Sequence, residues 1–189
     1  MRIVAGRLKG RTLATPGEAH LRPTSDKVRQ AIFNIVEHAP FAAEFTLEGA
    51  RVIDLFAGTG ALGLEALSRG AKFCLFVEEA ADSRAIIREN VETLGLTGAS
   101  KIWRRDAARL GPLDTLSAFD LAFLDPPYRK DLIAPTLEGL AAGGWLNPNA
   151  LVMAEAAEDE TMPTVAGYEI LDDRTYGDTR IAFMRAAHP

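Results

Sequence analysis

The chain has almost no cysteine, few histidines, few aromatic rings and no long apolar run. A single cysteine, Cys74, in 189 residues excludes an internal disulfide, and its place in the apolar run 73–77 reads as burial in a strand rather than reactivity. His20, His38 and His188 are scattered, with no Cys or His partner at a ligand spacing, so no metal site is expected. No apolar stretch reaches the length of about 18 residues that a transmembrane helix needs. The N-terminus lacks the hydrophobic core of a signal peptide. A soluble, reducing compartment, the cytoplasm, is the simplest expectation.

Excess positive charge is also missing. The net charge is −5, which by itself speaks against a nucleic-acid binder. The distribution says more than the sum. Residues 1–30 carry Arg2, Arg7, Lys9, Arg11, Arg22, Lys27 and Arg29 against Glu18 and Asp26, a net of +5, and the remainder carries −10. A basic arm on an acidic body is the pattern of a chain that contacts nucleic acid through one segment. A hydrophobic content of 48% is ample for one packed domain of this length. Nothing calls for a second chain, and a monomer is expected.

The most informative tetrapeptide is Asp125-Pro126-Pro127-Tyr128, placed directly after the apolar run 119–124. A carboxylate and the carbonyl of Pro126 are two acceptors for the two hydrogens of a base's exocyclic amine. Proline fixes φ and has no N–H, so the turn is stiff and offers acceptors only. Tyr128 offers a face on which a base can stack. The competing reading is a plain surface turn after a strand.

A second motif lies upstream. Residues 51–63 read as a short apolar strand, a glycine turn with Gly58 and Gly60, and the start of a helix. Gly58, Gly60 and Gly63 satisfy the GxGxxG fingerprint, and Glu78 stands near the spacing of a ribose-binding acid, so nicotinamide binding is a rival. Asp54 inside the strand tilts against it. A buried carboxylate is costly unless paired, and a cationic or amine-bearing ligand would pair it.

Residues 1–14 alternate loosely around Gly6 and Gly10 as a short basic hairpin. Thr24 or Ser25 caps a helix to about His38, with Val28, Ala31, Ile32, Ile35 and Val36 in one stripe. Strands are expected at 52–55, 73–78, 101–104, 121–124 and 151–155, alternating with helices at 61–69, 82–94 and 132–142, and a weak helical stretch at 113–116. Two further strands, 168–171 and 181–184, have no helix between them and pair antiparallel. The fold class is α/β: a Rossmann-like, mostly parallel sheet with an antiparallel C-terminal edge. Its division is a basic N-terminal hairpin and linker, 1–24, and a body, 25–189. Asp54, Glu78, Asp106 and Asp125 all fall in or just after parallel strands, which brings them to one edge of the sheet, where such folds bind ligands.

With those residues in view, the chain resembles the class I S-adenosylmethionine-dependent methyltransferases, and more narrowly the RsmD family, which methylates the 2-amino group of a guanine in 16S ribosomal RNA. The matching segments are 1–11, 21–29, 54–63, 124–128 and 176–179. The resemblance implies that Asp54, Phe56, Gly58 and Gly60 line the methionine end of S-adenosylmethionine, that Glu78 (or Glu79) holds the ribose, and that Asp106 accepts from the adenine amine. It implies that Asp125, Pro126, Pro127 and Tyr128 hold the target base. The basic residues Arg7, Lys9, Arg11 and Arg22 are expected to grip phosphates, and loss of residues 1–14 is expected to weaken RNA binding alone. The alternatives are an adenine 6-amino methyltransferase on DNA or RNA and a non-catalytic RNA-binding module that binds the cofactor.

Overall fold

The computed structural model describes residues 1–17 and 24–187. In chain order the elements are α1 (Asp26–His38), β1 (Arg51–Leu55), α2 (Ala61–Ser68), β2 (Phe73–Val77), α3 (Ala81–Thr93), β3 (Ser100–Trp103), β4 (Phe119–Leu124), α4 (Ile133–Ala142), β5 (Leu146–Ala157), β6 (Tyr168–Tyr176) and β7 (Thr179–Ala186). The strands form one sheet in the order β3-β2-β1-β4-β5-β7-β6. The first five are parallel, and β7 lies antiparallel between β5 and β6. The alternation of strand and helix drives the parallel part, because each helix carries the chain back to start the next strand in the same direction. Strand order reverses between β1 and β4, which opens a crevice beyond their carboxyl ends.

Period-two alternation sorts the core into two layers. Val52, Cys74, Phe76, Phe123 and Phe183 face α1, α2 and α3, while Ile53, Leu75, Ala122, Val152 and Met184 face α4. Ser25 caps α1 by accepting from the Val28 amide at 3.2 Å. That helix buries Ile32, Phe33, Ile35 and Val36. Pro135 sits in the first turn of α4, where its missing N–H would have no helical partner anyway.

Helix α2 buries all eight of its residues. Its inner side lies on the sheet, and the N-terminal segment covers the outside. That segment is a tight hairpin with one antiparallel bridge, Arg2 to Thr12. Ile3 and Leu13 enter the core. Gly6, at φ +79°, lets the backbone touch α2, since a Cβ there would lie 2.0 Å from the Ser68 carbonyl oxygen. The Glu65 carboxylate on α2 accepts from the amides of Val4 and Ala5, each at 2.9 Å. It also pairs with Arg29 at 3.3 Å and Arg69 at 2.9 Å.

These contacts revise one expectation. Loss of residues 1–14 would expose core and strip Glu65 of two donors, so it would unsettle the body as well as any RNA contact. Arg29 is fully buried in this hub and does not belong to the basic surface. The boundary near residue 24 marks a change of charge, while residues 1–17 share the body's core.

Two other readings differ. Residues 113–116 form no helix; the short helical turn is Ala107–Arg109. The Leu113 amide donates to the Gly143 carbonyl at 2.9 Å, which ties this segment to the end of α4 rather than to itself. The C-terminal strands are also longer than expected and run up to the turn at Gly177 and Asp178. The run Asp172-Asp173-Arg174 on β6 hides the alternation, as charge often does on an edge strand.

Candidate active site

The crevice between β1 and β4 is a cleft of about 880 Å³. Its walls include Asp54, Phe56, Gly58, Glu78, Asp106, Asp125, Pro126, Pro127 and Tyr128. Nine of the residues selected from the sequence therefore meet around one cavity. Gly60 stands behind the wall. At φ +79° it leads into α2, and a Cβ there would meet the Phe76 ring at 3.2 Å, so it serves the turn and its packing.

Asp54 forms the floor. It is 1% exposed, and its Oδ2 accepts the Gly63 amide at 3.0 Å. Burial, with a smaller contribution from the charge on Glu78, pushes its pKa up to about 8; the Gly63 bond opposes this. The third glycine of the fingerprint is explained by close packing, since a Cβ on Gly63 would lie 2.4 Å from Phe76 and 2.5 Å from Cys74. Phe56 adopts φ 58°, an unusual value for a bulky residue, and turns the chain out of β1.

Glu78 folds back on the glycine turn, accepting from the Gly58 amide at 2.8 Å and the Ala80 amide at 2.9 Å. Glu79 also lines the cleft and is more exposed. Asp106 caps the turn that follows it, accepting from the Ala108 amide at 2.9 Å. A pyrophosphate is poorly served here: Glu78 already takes the Gly58 amide, and Asp54, Glu78, Asp125 and Glu155 make the walls acidic. Sites for phosphate present free amides and positive potential. The nicotinamide reading fails on this chemistry.

Asp125 follows β4, with its amide donating to the Leu55 carbonyl at 3.4 Å. Burial first, then the charges of Glu155 and Asp54, hold its carboxyl well above the usual range, and a hydrogen bond with Thr24 opposes the shift. Pro126 is buried and Pro127 exposed. The Tyr128 phenol donates to Glu155 at 2.6 Å and lies 3.0 Å from the Thr179 hydroxyl. Both its burial and its bond to Glu155 raise the phenol's pKa.

Of the basic candidates, Arg7, Lys9 and Arg11 are exposed on the hairpin, with Arg11 donating to the Thr93 carbonyl at 3.0 Å. Arg22 lies outside the described residues. Met1 reaches the cleft, so the hairpin borders it. Among the described residues no helix is long and apolar enough to cross a membrane.

A family profile described as Conserved hypothetical protein 95 matches residues 1–185. The chain is 37% identical over 166 residues to Ribosomal RNA small subunit methyltransferase D of Escherichia coli K12, covering 87% of this chain and 79% of that protein. The chain belongs to the RsmD family. The Bacillus subtilis protein YlbH, provisionally named an rRNA methyltransferase, is 34% identical over 188 residues, 98% of either chain. A solved Escherichia coli structure described as a methyltransferase superposes with a TM-score of 0.83 at 30% identity, covering 99% of this chain and 98% of that one.

S-adenosylmethionine is the cofactor of the RsmD family, and the walls fit it. A Cβ built on Gly58 meets nothing nearer than the Phe56 carbonyl oxygen at 4.0 Å, so the backbone there is open to a ligand. Asp54 is a buried acid for which a cation is a natural partner. The cleft volume lies within the roughly 300–1,000 Å³ usual for small-molecule sites. A pH dependence follows. A cation beside Asp54 favours its ionised form, so cofactor binding below about pH 8 should release a proton, with affinity rising by up to about tenfold per pH unit and flattening above. In the free protein the sign is opposite. The folded state holds a proton that the unfolded chain has lost, so this carboxyl's contribution to stability falls as pH rises from about 4 to 8. Calorimetric titration in buffers of different ionisation enthalpy measures the proton count.

Glu155, Thr24 and Thr179 were not selected from the sequence, yet all three hydrogen-bond within the site. Glu155 carried a usable signal: like Glu78, it is an acid closing an apolar strand run. The two threonines lie in the segments 21–29 and 176–179 that carry the family resemblance, but their residue types gave no sign of a role in the site.

Proposed function

We propose that the cleft transfers a methyl group from S-adenosylmethionine to the exocyclic 2-amino group of a guanine in 16S ribosomal RNA, in the small subunit. The observation that carries this reading is the convergence of the buried Asp54 and the Asp125-Pro126-Pro127-Tyr128 turn on one cavity, in a chain of this family. When bound, S-adenosylmethionine supplies an activated methyl on a sulfonium sulfur.

The protein's own part is to hold and polarise the acceptor. A base amine is a weak nucleophile because its lone pair is delocalised into the ring. Asp125 and the Pro126 carbonyl accept its two hydrogens and draw the nitrogen toward tetrahedral geometry, which aims the lone pair. Positive charge develops on that nitrogen as it attacks, and Asp125 favours it in its ionised form, which burial resists in the free cleft. Tyr128 supports the base once it leaves its stack. Asp54, Phe56 and the Gly58 turn hold the methionine end of the cofactor, Glu78 its ribose and Asp106 its adenine. A ribosomal substrate and the free thiol of Cys74 favour a cytoplasmic location.

The basic hairpin supplies the phosphate contacts in this reading. Replacing Arg7, Lys9 and Arg11 together by glutamine should lower the slope of log affinity against log salt by about 2, from the roughly 0.7 expected per single-stranded phosphate contact. Cofactor affinity should not change, because the three side chains are exposed and outside the cleft. Filter binding of small-subunit RNA at several salt concentrations makes the measurement, and an unchanged slope removes the hairpin from the RNA interface.

The activity itself is tested with isotopically labelled cofactor, 16S RNA and small-subunit particles from cells lacking this enzyme, followed by digestion and mass spectrometry. The expected product is 2-methylguanosine. Labelled 6-methyladenosine would keep the chemistry and overturn the target; cofactor binding without label in either would favour a binding module.

A further inference from the structure

We propose that Glu155 is the positioning residue of the base clamp, fixing the Tyr128 ring through its phenol and tying the turn after β4 to Thr24; this rests on the function proposed above. The sheet register pairs Leu124 with Ala154, which sets Asp125 and Glu155 at the same level on neighbouring strands. Glu155 is 5% exposed and lines the cleft. Its Oε1 receives the Tyr128 phenol at 2.6 Å, and its Oε2 receives the Thr24 hydroxyl at 3.1 Å. Thr24 also lies close enough to Asp125 to lower its pKa. On the far side, Thr179 lies 3.0 Å from the same phenol. One carboxylate thereby fastens the turn after β4 to the entrance of α1.

The chemistry of the residue types supports this assignment. A ring that only stacks on a base has no need of its hydroxyl, because stacking uses the π face. A ring anchored at its phenol by two partners cannot swing, and fixed rotamers in supporting groups hold a site in productive geometry. A carboxylate in a buried position is costly, whereas an apolar residue would fill the same strand site at no such cost. Its bonds to Tyr128 and Thr24 go to the two sides of the clamp.

The test uses the full chain with Glu155→Met, which keeps length and removes the acceptor, Glu155→Gln, which keeps an acceptor, Tyr128→Phe, and the double variant Glu155→Met/Tyr128→Phe. Single-turnover transfer at saturating cofactor should fall about tenfold or more in Glu155→Met and in Tyr128→Phe, with the double variant within about twofold of the worse single one. Glu155→Gln should recover part of the loss, and cofactor dissociation constants should stay unchanged. Losses that multiply, or a wild-type rate in Glu155→Met, overturn the proposal.

A second readout needs no turnover. The chain has three tyrosines, Tyr128, Tyr168 and Tyr176, so ring-labelled tyrosine gives three NMR signals. Glu155→Met should move one of them, the signal that Tyr128→Phe removes. If that signal stays in place, the inference fails whatever the activity. If it moves while the wild type makes no 2-methylguanosine, the functional reading fails and the Glu155 link stands. Should Glu155→Met not fold, Thr24→Val combined with Tyr128→Phe runs the same cycle from the partner of the other carboxylate oxygen.

Discussion

Replacing Asp125 by alanine should cut methyl transfer by about 10²–10⁴-fold while cofactor affinity stays within about threefold. The side chain sits at the end of β4, on the far side of the order reversal from Asp54, so its loss leaves the floor under the cofactor in place. It also relieves repulsion, because the charge on Asp54 raises the cost of ionising Asp125. Single-turnover assays and calorimetry on one preparation separate the two effects; an equal loss of both would make Asp125 a cofactor residue.

Gly58→Val should act in reverse. Its φ of +57° is strained for a β-branched residue, and the open space above it would fill with side chain. Cofactor binding should weaken by more than about tenfold, the scale of overpacking a tight site, with Asp125 and Tyr128 untouched.

The largest stability effect should come from Glu65→Ala. The carboxylate accepts from Val4, Ala5, Arg29 and Arg69, and both Glu65 and Arg29 have fully buried side chains. Removing one partner of a buried ion pair leaves an uncompensated charge and costs about 3–5 kcal/mol. Two backbone donors of the hairpin lose their acceptor as well. For a chain of this size the midpoint of thermal unfolding should drop on the order of 10 °C. Arg29 keeps Asp26 at 2.8 Å and the Arg2 carbonyl, which sets the lower end of that range. Thermal denaturation measures the drop. A fall under about 2 °C, a fraction of the expected cost, would show that the hairpin is held by Ile3 and Leu13 alone.

Much of the fold was legible because its signals are local. Short apolar runs bounded by turn residues place β1 to β4 to within a residue or two, and a 3.6-residue stripe with Ser25 ahead of it places α1. The charged β6 was read short, since an edge strand that keeps Asp172, Asp173 and Arg174 in solvent shows no apolar alternation. Helix α2 carried a clue of another kind. It buries all eight residues, and the hairpin of residues 1–14 covers the side that carries Glu65 and Ser68.

For the site, the sequence by itself determined the chemistry of each wall: an acid inside or just after successive strands, a glycine turn after the first, a rigid pair of prolines before an aromatic ring. Their positions follow from strand direction, since parallel strands deliver their carboxyl ends to one edge. Only the tertiary structure decided which of these groups touch. That Glu155 grips Tyr128, that Thr24 bonds Glu155, and that Glu65 ties the basic hairpin into the core are pairings across 27 to 131 positions of sequence. Hydrophobic periodicity reports which face of an element is buried. The order in which strands lie side by side selects the partner, and that order is set by the packing of the whole sheet rather than by any local run of residues.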